Sequence, residues 1–189
     1  MSLGFGQIQF GMPVSKCSSR TKKTLRYSER DHGSRLNFLS KLRGIIKAGG
    51  KNSIVYVDES GFESHVYRPH AWSPRGQKTY GERHGTRRQR TNLIAGRMGK
   101  KLLAPVLFEG ATNASFFNMW LTDILFKELP EGATVVMDNA AFHKTTKTKE
   151  IFEGTSFHLL YLPPYSPDLN PIEKDFANLK NKRLLGLIT

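Results

Sequence analysis

The stretch "SIVYVD", residues 53–58, decides how the rest of the chain reads. Ile54, Val55, Tyr56 and Val57 form a short unbroken apolar run rich in β-branched side chains, the pattern of a strand buried on both faces, and Asp58 ends it. Immediately upstream, "AGG" closes a segment of helical period in which Leu36, Leu39, Leu42 and Ile46, with Phe38 and Ile45, share a face. Ser28 in "SERD" is the expected N-cap of that helix, with an acid three residues on. Downstream, "HVYRPHAW", "RTNLIAGRM" and "KLLAPVLFEG" read as antiparallel partners of the first strand. Asn113 then caps "ASFFNMWLTDILFKEL", whose Phe116, Trp120, Ile124 and Leu125 share a face, and Pro130 with Gly132 stops it. From there the order alternates: strand "TVVMD", helix "HKTTKTKEIFEG", strand "FHLLYL", helix "NPIEKDFANLKNKRLLGLI". Strands joined by helices imply parallel pairing, so the expected architecture is α/β, a mixed sheet with helices packed on it.

At 189 residues and 38% hydrophobic the chain can bury the core of one domain with an appendage. No stretch approaches the roughly 18 apolar residues of a membrane span, and the N-terminus lacks the pattern of a secretory signal, so a cytoplasmic protein without a membrane partner is expected. A lone cysteine, Cys17, excludes an internal disulfide and a cysteine-rich zinc site. The net charge of +13 and pI near 10.0 point to a polyanion, nucleic acid before membrane. Residues 1–51 hold 11 Lys or Arg against Glu29 and Asp31, leaving +4 for the remaining 138 residues. Residues 1–27 read as a basic arm or linker, with Lys22, Lys23 and Arg26 as phosphate contacts, and residues 28–50 as a helical linker. Arg87, Arg88 and Arg90 of "TRRQR", with Lys144 and Lys147, are further candidate DNA contacts.

Asp58 and Asp138 each stand where a buried strand runs out, the end at which open α/β sheets bind ligands. If those strands are neighbours, the two anions repel unless a cation lies between them, and hard oxygen donors select Mg²⁺ or Mn²⁺ over zinc. The competing reading is that an Asp after a strand is a turn former. Glu173 is the candidate third carboxylate. In "NPIEK" it reads equally as the reciprocal acid of a capping box, with Asn170 as N-cap and Pro171 at N1. Lys180 follows on the face of Glu173 and could meet a phosphate. Four of the nine prolines crowd into "YLPPYSPDLNPIEK", residues 161–174, a stiff path from the last strand to the helix that carries Glu173. Trp72 and Trp120 read as core residues rather than base-stacking ones.

"VYVDESGF", "VVMDNAAFHK" and "LPPYSPDLNPIEK" resemble, in order and wording, the three catalytic blocks of DDE transposases of the mariner superfamily, in its bacterial insertion-sequence branch. The likeness runs from about Leu25 to Lys182, and "RYSERD", "YRPHAWSPRGQK" and "RTNLIAG" resemble family segments too. It places Asp58, Asp138 and Glu173 on the family's triad, with 34 residues between the last two. It implies a ribonuclease H-like five-stranded sheet, three antiparallel strands and then two parallel ones, with helices on both faces, over residues 51–189. It also implies two Mg²⁺ ions, replaceable by Mn²⁺, cleavage of double-stranded DNA at transposon ends, and joining of the 3′-hydroxyl to target DNA, typically at a TA step. Asn139 and His143 match residues of the second block and could orient DNA or a metal-bound water; their other reading is a turn residue and a helix-start residue. The family's N-terminal helix-turn-helix region has no counterpart in residues 1–27, which would be a remnant of it, with the reader supplied as a separate product. A homodimer on paired ends and location at the bacterial nucleoid accompany the resemblance. Two alternatives stand beside it: a truncated relic that only binds DNA, and a host ribonuclease H-like nuclease.

Overall fold

The computed structural model describes residues 28–63, 73, 76–78, 80 and 90–184. Five strands, β1 (Ile54–Glu63), β2 (Arg90–Met98), β3 (Lys101–Glu109), β4 (Thr134–Met137) and β5 (His158–Tyr161), form one sheet in the order β3-β2-β1-β4-β5. The first three pair antiparallel; β4 pairs parallel with both β1 and β5. This is the mixed sheet expected from the alternation of patterns. The apolar run that opens β1 is central because β4, buried at all four positions, flanks it on one side and β2 on the other. "HVYRPHAW" lies outside the described residues.

Helices cover both faces. Helix α1 (His32–Gly49) lays Phe38, with Leu39, Leu42, Ile45 and Ile46, over Ile54 and Val136. Its N-cap is Asp31 rather than Ser28: the Asp31 carboxylate accepts from the Gly33 amide at 3.1 Å and the Ser34 amide at 2.8 Å. A carboxylate can take two orphan amides at once and its charge suits a helix N-terminus, which a single hydroxyl cannot match. On the same face α5 (Ile172–Leu184) packs Ile172 and Phe176 on Leu93 and Ala95.

The opposite face carries α2 (Ala114–Trp120), a π turn (Leu121–Leu125) and α3 (Phe126–Glu128) in succession, with α4 (Thr146–Glu153) beside them. Asn113 caps α2 as expected, accepting from the Phe116 amide at 2.8 Å. The buried stripe is Phe117, Trp120, Leu121 and Leu125, whereas Phe116 and Ile124 are only partly buried. The buried stripe thus falls one residue further along than the sequence suggests, and the π turn Leu121–Leu125 interrupts the 3.6-residue period within it.

Trp120 is wholly buried, and its indole N–H donates to the Ala104 carbonyl at 2.9 Å. Ala104 has φ +48°, beside the point where the β2–β3 register shifts, and its amide donates to Glu128 Oε2 at 3.0 Å. The bulge therefore turns one peptide's polar groups out of the ladder and onto the helix above it. Trp72 lies outside the described residues. None of the described helices is long and apolar enough to cross a membrane.

Candidate active site at the strand ends

In the parallel ladder, Ile54 pairs with Thr134, Val55 with Val135 and Tyr56 with Val136. Carried two residues on, that register sets Asp58 level with Asp138, just where β4 has run out. Both carboxylates line an open cleft of about 510 Å³ together with Asn139, Asn170 and Glu173.

Asp58 is held by both oxygens. Oδ1 accepts from the Glu59 amide at 2.8 Å and Oδ2 from Asn170 Nδ2 at 3.0 Å. Burial pushes its carboxyl up to about 7, opposed by the Glu59 amide and reinforced by the negative charges of Glu173, Asp138 and Glu59. Asp138 behaves in the opposite way. Burial alone would raise it, but a 2.6 Å contact from Oδ1 to His143 Nδ1 and a 2.9 Å bond from the Ala140 amide hold it below the usual carboxylate range.

His143 is buried, its ring 4.2 Å from those of both Phe117 and Phe142, and its Nε2 lies 3.3 Å from Glu59 Oε1. Burial works against its charge, yet the bonds to Asp138 and Glu59 prevail and raise it to about 9, so an imidazolium bridges two carboxylates. It starts no α-helix: it stands in a 3₁₀ turn, Ala141–Lys144, ahead of α4. The expectation is that His143 could orient DNA or a metal-bound water, with a helix-start residue as its other reading. Sealed behind Asp138, it reaches the cleft only through that carboxylate.

Asn139 lines the cleft and donates from Nδ2 to the Leu162 carbonyl, tying the end of β4 to the chain leaving β5. The capping box, the competing reading of Glu173 in "NPIEK", is not formed. The Asn170 amide donates to the Pro167 carbonyl at 2.9 Å and the Asn170 side chain is turned to Asp58, while the Glu173 carboxylate is exposed along the cleft. Asn170 Oδ1 is buried there without a hydrogen-bond partner.

The proline run is braced at both ends. Arg35 of α1 makes a two-pronged pair with Asp168, at 3.0 and 2.7 Å. Arg97 of β2 donates from Nη1 to the Pro171 carbonyl at 2.5 Å and lies 3.1 Å from Asp175, so it grips the first turn of α5 on either side of Glu173. Sequence reasoning missed Arg97, Asn170 and Glu59 as parts of the site. Asp58 does not end its strand as the sequence suggested, because β1 runs on to Glu63 in antiparallel pairing with β2; only Glu59 had a legible signal, since the residue after Asp58 in a strand must face the other way.

Of the other candidates, Lys144 is near enough for its charge to help lower Asp138, and Lys180 and Lys147 make their contacts elsewhere. Lys180 Nζ lies 5.6 Å from the Phe62 ring, Lys144 Nζ 5.6 Å from the Tyr161 ring, and Lys147 pairs with Glu150 at 3.6 Å on the surface. Arg90 opens β2. Lys22, Lys23, Arg26, Arg87 and Arg88 lie outside the described residues.

Among the described residues no three His, Cys, Asp or Glu side chains already stand as a metal cage. The donor set nevertheless fits hard divalent cations: three carboxylates around one cleft, one of them opposed as an anion, and an unpartnered buried amide oxygen beside it.

The profile of the DDE superfamily endonuclease matches residues 53–186. The chain belongs to that family. In this DDE endonuclease the matched span runs from the first strand through the whole of α5, so it contains all three carboxylates. The fold is that of solved mariner-type proteins. A Mos1 transposase paired-end complex with left transposon end superimposes with a TM-score of 0.70 at 20% identity, over 87% of this chain and 53% of that one. The mariner Mos1 paired-end complex with Mg gives 0.70 at 20% identity, over 88% and 54%. The Mos1 catalytic domain with Raltegravir and Mn gives 0.62 at 20% identity, over 86% and 76%. The sheet is thus ribonuclease H-like, and the chain spans about half the length of the Mos1 chains in the paired-end complexes. Comparison with curated proteins finds no match.

Proposed function

We propose that this DDE endonuclease is the catalytic part of a mariner-type transposase of the bacterial insertion-sequence branch. It cleaves double-stranded DNA at transposon ends and transfers the freed 3′-hydroxyl into target DNA, at TA steps. The observation that carries the reading is the level placement of Asp58, within β1, and Asp138, just past the end of the adjacent parallel strand β4, with Glu173 on the same cleft. On this reading Asp58, Asp138 and Glu173 would hold two Mg²⁺ ions, or Mn²⁺ in their place. Bound there, the ions supply charge stabilisation and activation of the attacking oxygen in an in-line displacement at phosphorus.

The chain's own part is to fix the ligands. Asn170 and the Glu59 amide orient Asp58, His143 and the Ala140 amide orient one oxygen of Asp138, and Arg97 grips the turn that presents Glu173. Water and a DNA 3′-hydroxyl can serve in turn as nucleophile in the same geometry, so no protein nucleophile is required. The basic N-terminal quarter supports DNA as the partner. The proposal divides the chain into an arm at residues 1–27, a helical linker at 28–50 and the catalytic domain at 51–189. It includes a homodimer on paired ends and a separate helix-turn-helix product, acting in the bacterial cytoplasm at the nucleoid.

The test is nicking of supercoiled DNA by the purified chain. Nicking is expected with Mg²⁺, none in EDTA, and none from Asp138→Asn. Undiminished nicking by that variant, or nicking in EDTA, refutes the proposal.

A further inference from the structure

A second groove, of about 590 Å³, opens on the sheet face that carries α2, away from α5. Its principal feature is the Arg90 side chain, which lies flat against Gly61. A Cβ built on Gly61 would fall onto the guanidinium itself, at Nε, Nη2 and Cζ. Gly61 and Asn92 are partners in the β1–β2 ladder, and Arg90 Nε donates to Asn92 Oδ1 at 3.1 Å. Asn92 is fixed in turn, its Nδ2 donating to the Gly110 carbonyl at 2.5 Å. Glycine inside a strand weakens it and often marks a close approach; here what approaches is a charged side chain.

The guanidinium is oriented through Nε, so its two outer nitrogens remain as a fork of the geometry that matches a phosphate. Among the described residues no carboxylate pairs with Arg90. The groove's own carboxylate, Glu59, is engaged by His143 at 3.3 Å. A fixed, exposed cation that has no carboxylate partner among the described residues, in a groove of a strongly basic chain, is arranged for an anion brought from outside.

We propose that this groove is a second DNA contact, in which Arg90, held on Gly61 by Asn92, receives one backbone phosphate of a duplex. The proposal rests on the reading that the chain acts on DNA, but not on its catalysis. It adds affinity and positioning without reading sequence.

The test is fluorescence anisotropy of the full chain with a short labelled duplex over a series of salt concentrations, in EDTA. Arg90→Gln is expected to weaken binding about tenfold and to take about 0.9 from the magnitude of the log–log salt slope. Gly61→Ala leaves every charge in place but displaces the fork, and should reproduce both changes; the double variant should add nothing further. Thermal melting confirms folding, and Asn92→Ala, which frees Nε, serves if Gly61→Ala melts early. Wild-type affinity and slope in both Arg90→Gln and Gly61→Ala overturn the proposal. So does a loss confined to Arg90→Gln, which would mean a charge without a built site. Because no metal is present, a chain that shows these effects and yet never nicks DNA would sink the catalytic reading alone.

Discussion

Replacing Asp58 by asparagine should stabilise the metal-free protein at alkaline pH while abolishing cleavage. The folded chain raises the Asp58 carboxyl from the ordinary 3.8 to about 7, through burial and then the neighbouring charges of Glu173, Asp138 and Glu59. A carboxyl with a raised folded value binds its proton more tightly when folded. That stabilisation is therefore complete below about pH 4 and is lost as pH rises through about 7. At about 1.4 kcal/mol per pH unit the ceiling is ~4 kcal/mol. Asp58 keeps part of its contact with solvent, so the expected gain at pH 8 is about 2 kcal/mol. The carboxamide suits the site once the Asn170 amide turns over: its oxygen accepts from the Glu59 amide, and its NH₂, which replaces the acceptor of Asn170 Nδ2, donates to the Asn170 oxygen that now lacks a partner. The assay is urea unfolding of the wild type and Asp58→Asn in EDTA at pH 5 and pH 8, repeated with Mg²⁺. The variant should gain on the wild type as pH rises, and Mg²⁺ should stabilise only the wild type, by binding the folded state alone. A variant less stable than wild type at pH 8, or a gap unchanged between the two pH values, refutes the reasoning.

Two further outcomes follow from the packing. Glu173→Gln removes a charge from an exposed carboxylate that caps nothing, so unfolding free energy should stay within about 0.5 kcal/mol while cleavage is lost; full cleavage activity would remove Glu173 from the metal site. Gly96→Ala sets a Cβ 3.0 Å from Leu125 Cδ1 and 3.1 Å from Val55 Cγ1, where the helical layer meets the sheet, and should cost about 1–3 kcal/mol by overpacking. An unchanged melting midpoint would show that the interface yields.

The sheet was legible because its signals are local. The apolar run of β1, the alternation of β4 and β5 with helices, and Asp138 at the end of β4 each follow from a few adjacent residues, whereas the continuation of β1 past Asp58 to Glu63 depends on its pairing with β2. What escaped depends on contacts between segments far apart in the chain. Asn170 carries the residue type and position of an N-cap, and only the approach of β1 turns its amide to Asp58, 112 residues away. Arg97 reads as a polar residue near the end of a strand, yet it meets Pro171 across 74 residues. The π turn escaped for a different reason, since a fixed helical period cannot register a local widening.

These long-range contacts also explain how three carboxylates share a cleft in a folded chain. Asp138 can stay anionic because His143 brings a buried positive charge, which Glu59 shares from the far side of the sheet. Among the described residues Asp58 has no cation of its own. Its direct partners are two N–H donors, and its carboxyl is driven toward the neutral form. The prolines and the Arg97 grip keep Glu173 along the same cleft, where its charge opposes Asp58 and no cap relieves it. One side of the site is thus neutralised from within, and the other is left with excess negative charge. A divalent cation relieves that excess directly, and binding would release the proton that Asp58 retains near neutral pH. Proton release on Mg²⁺ titration should then be largest near pH 6.5, fall toward pH 9 as Asp58 deprotonates unaided, and vanish in Asp58→Asn.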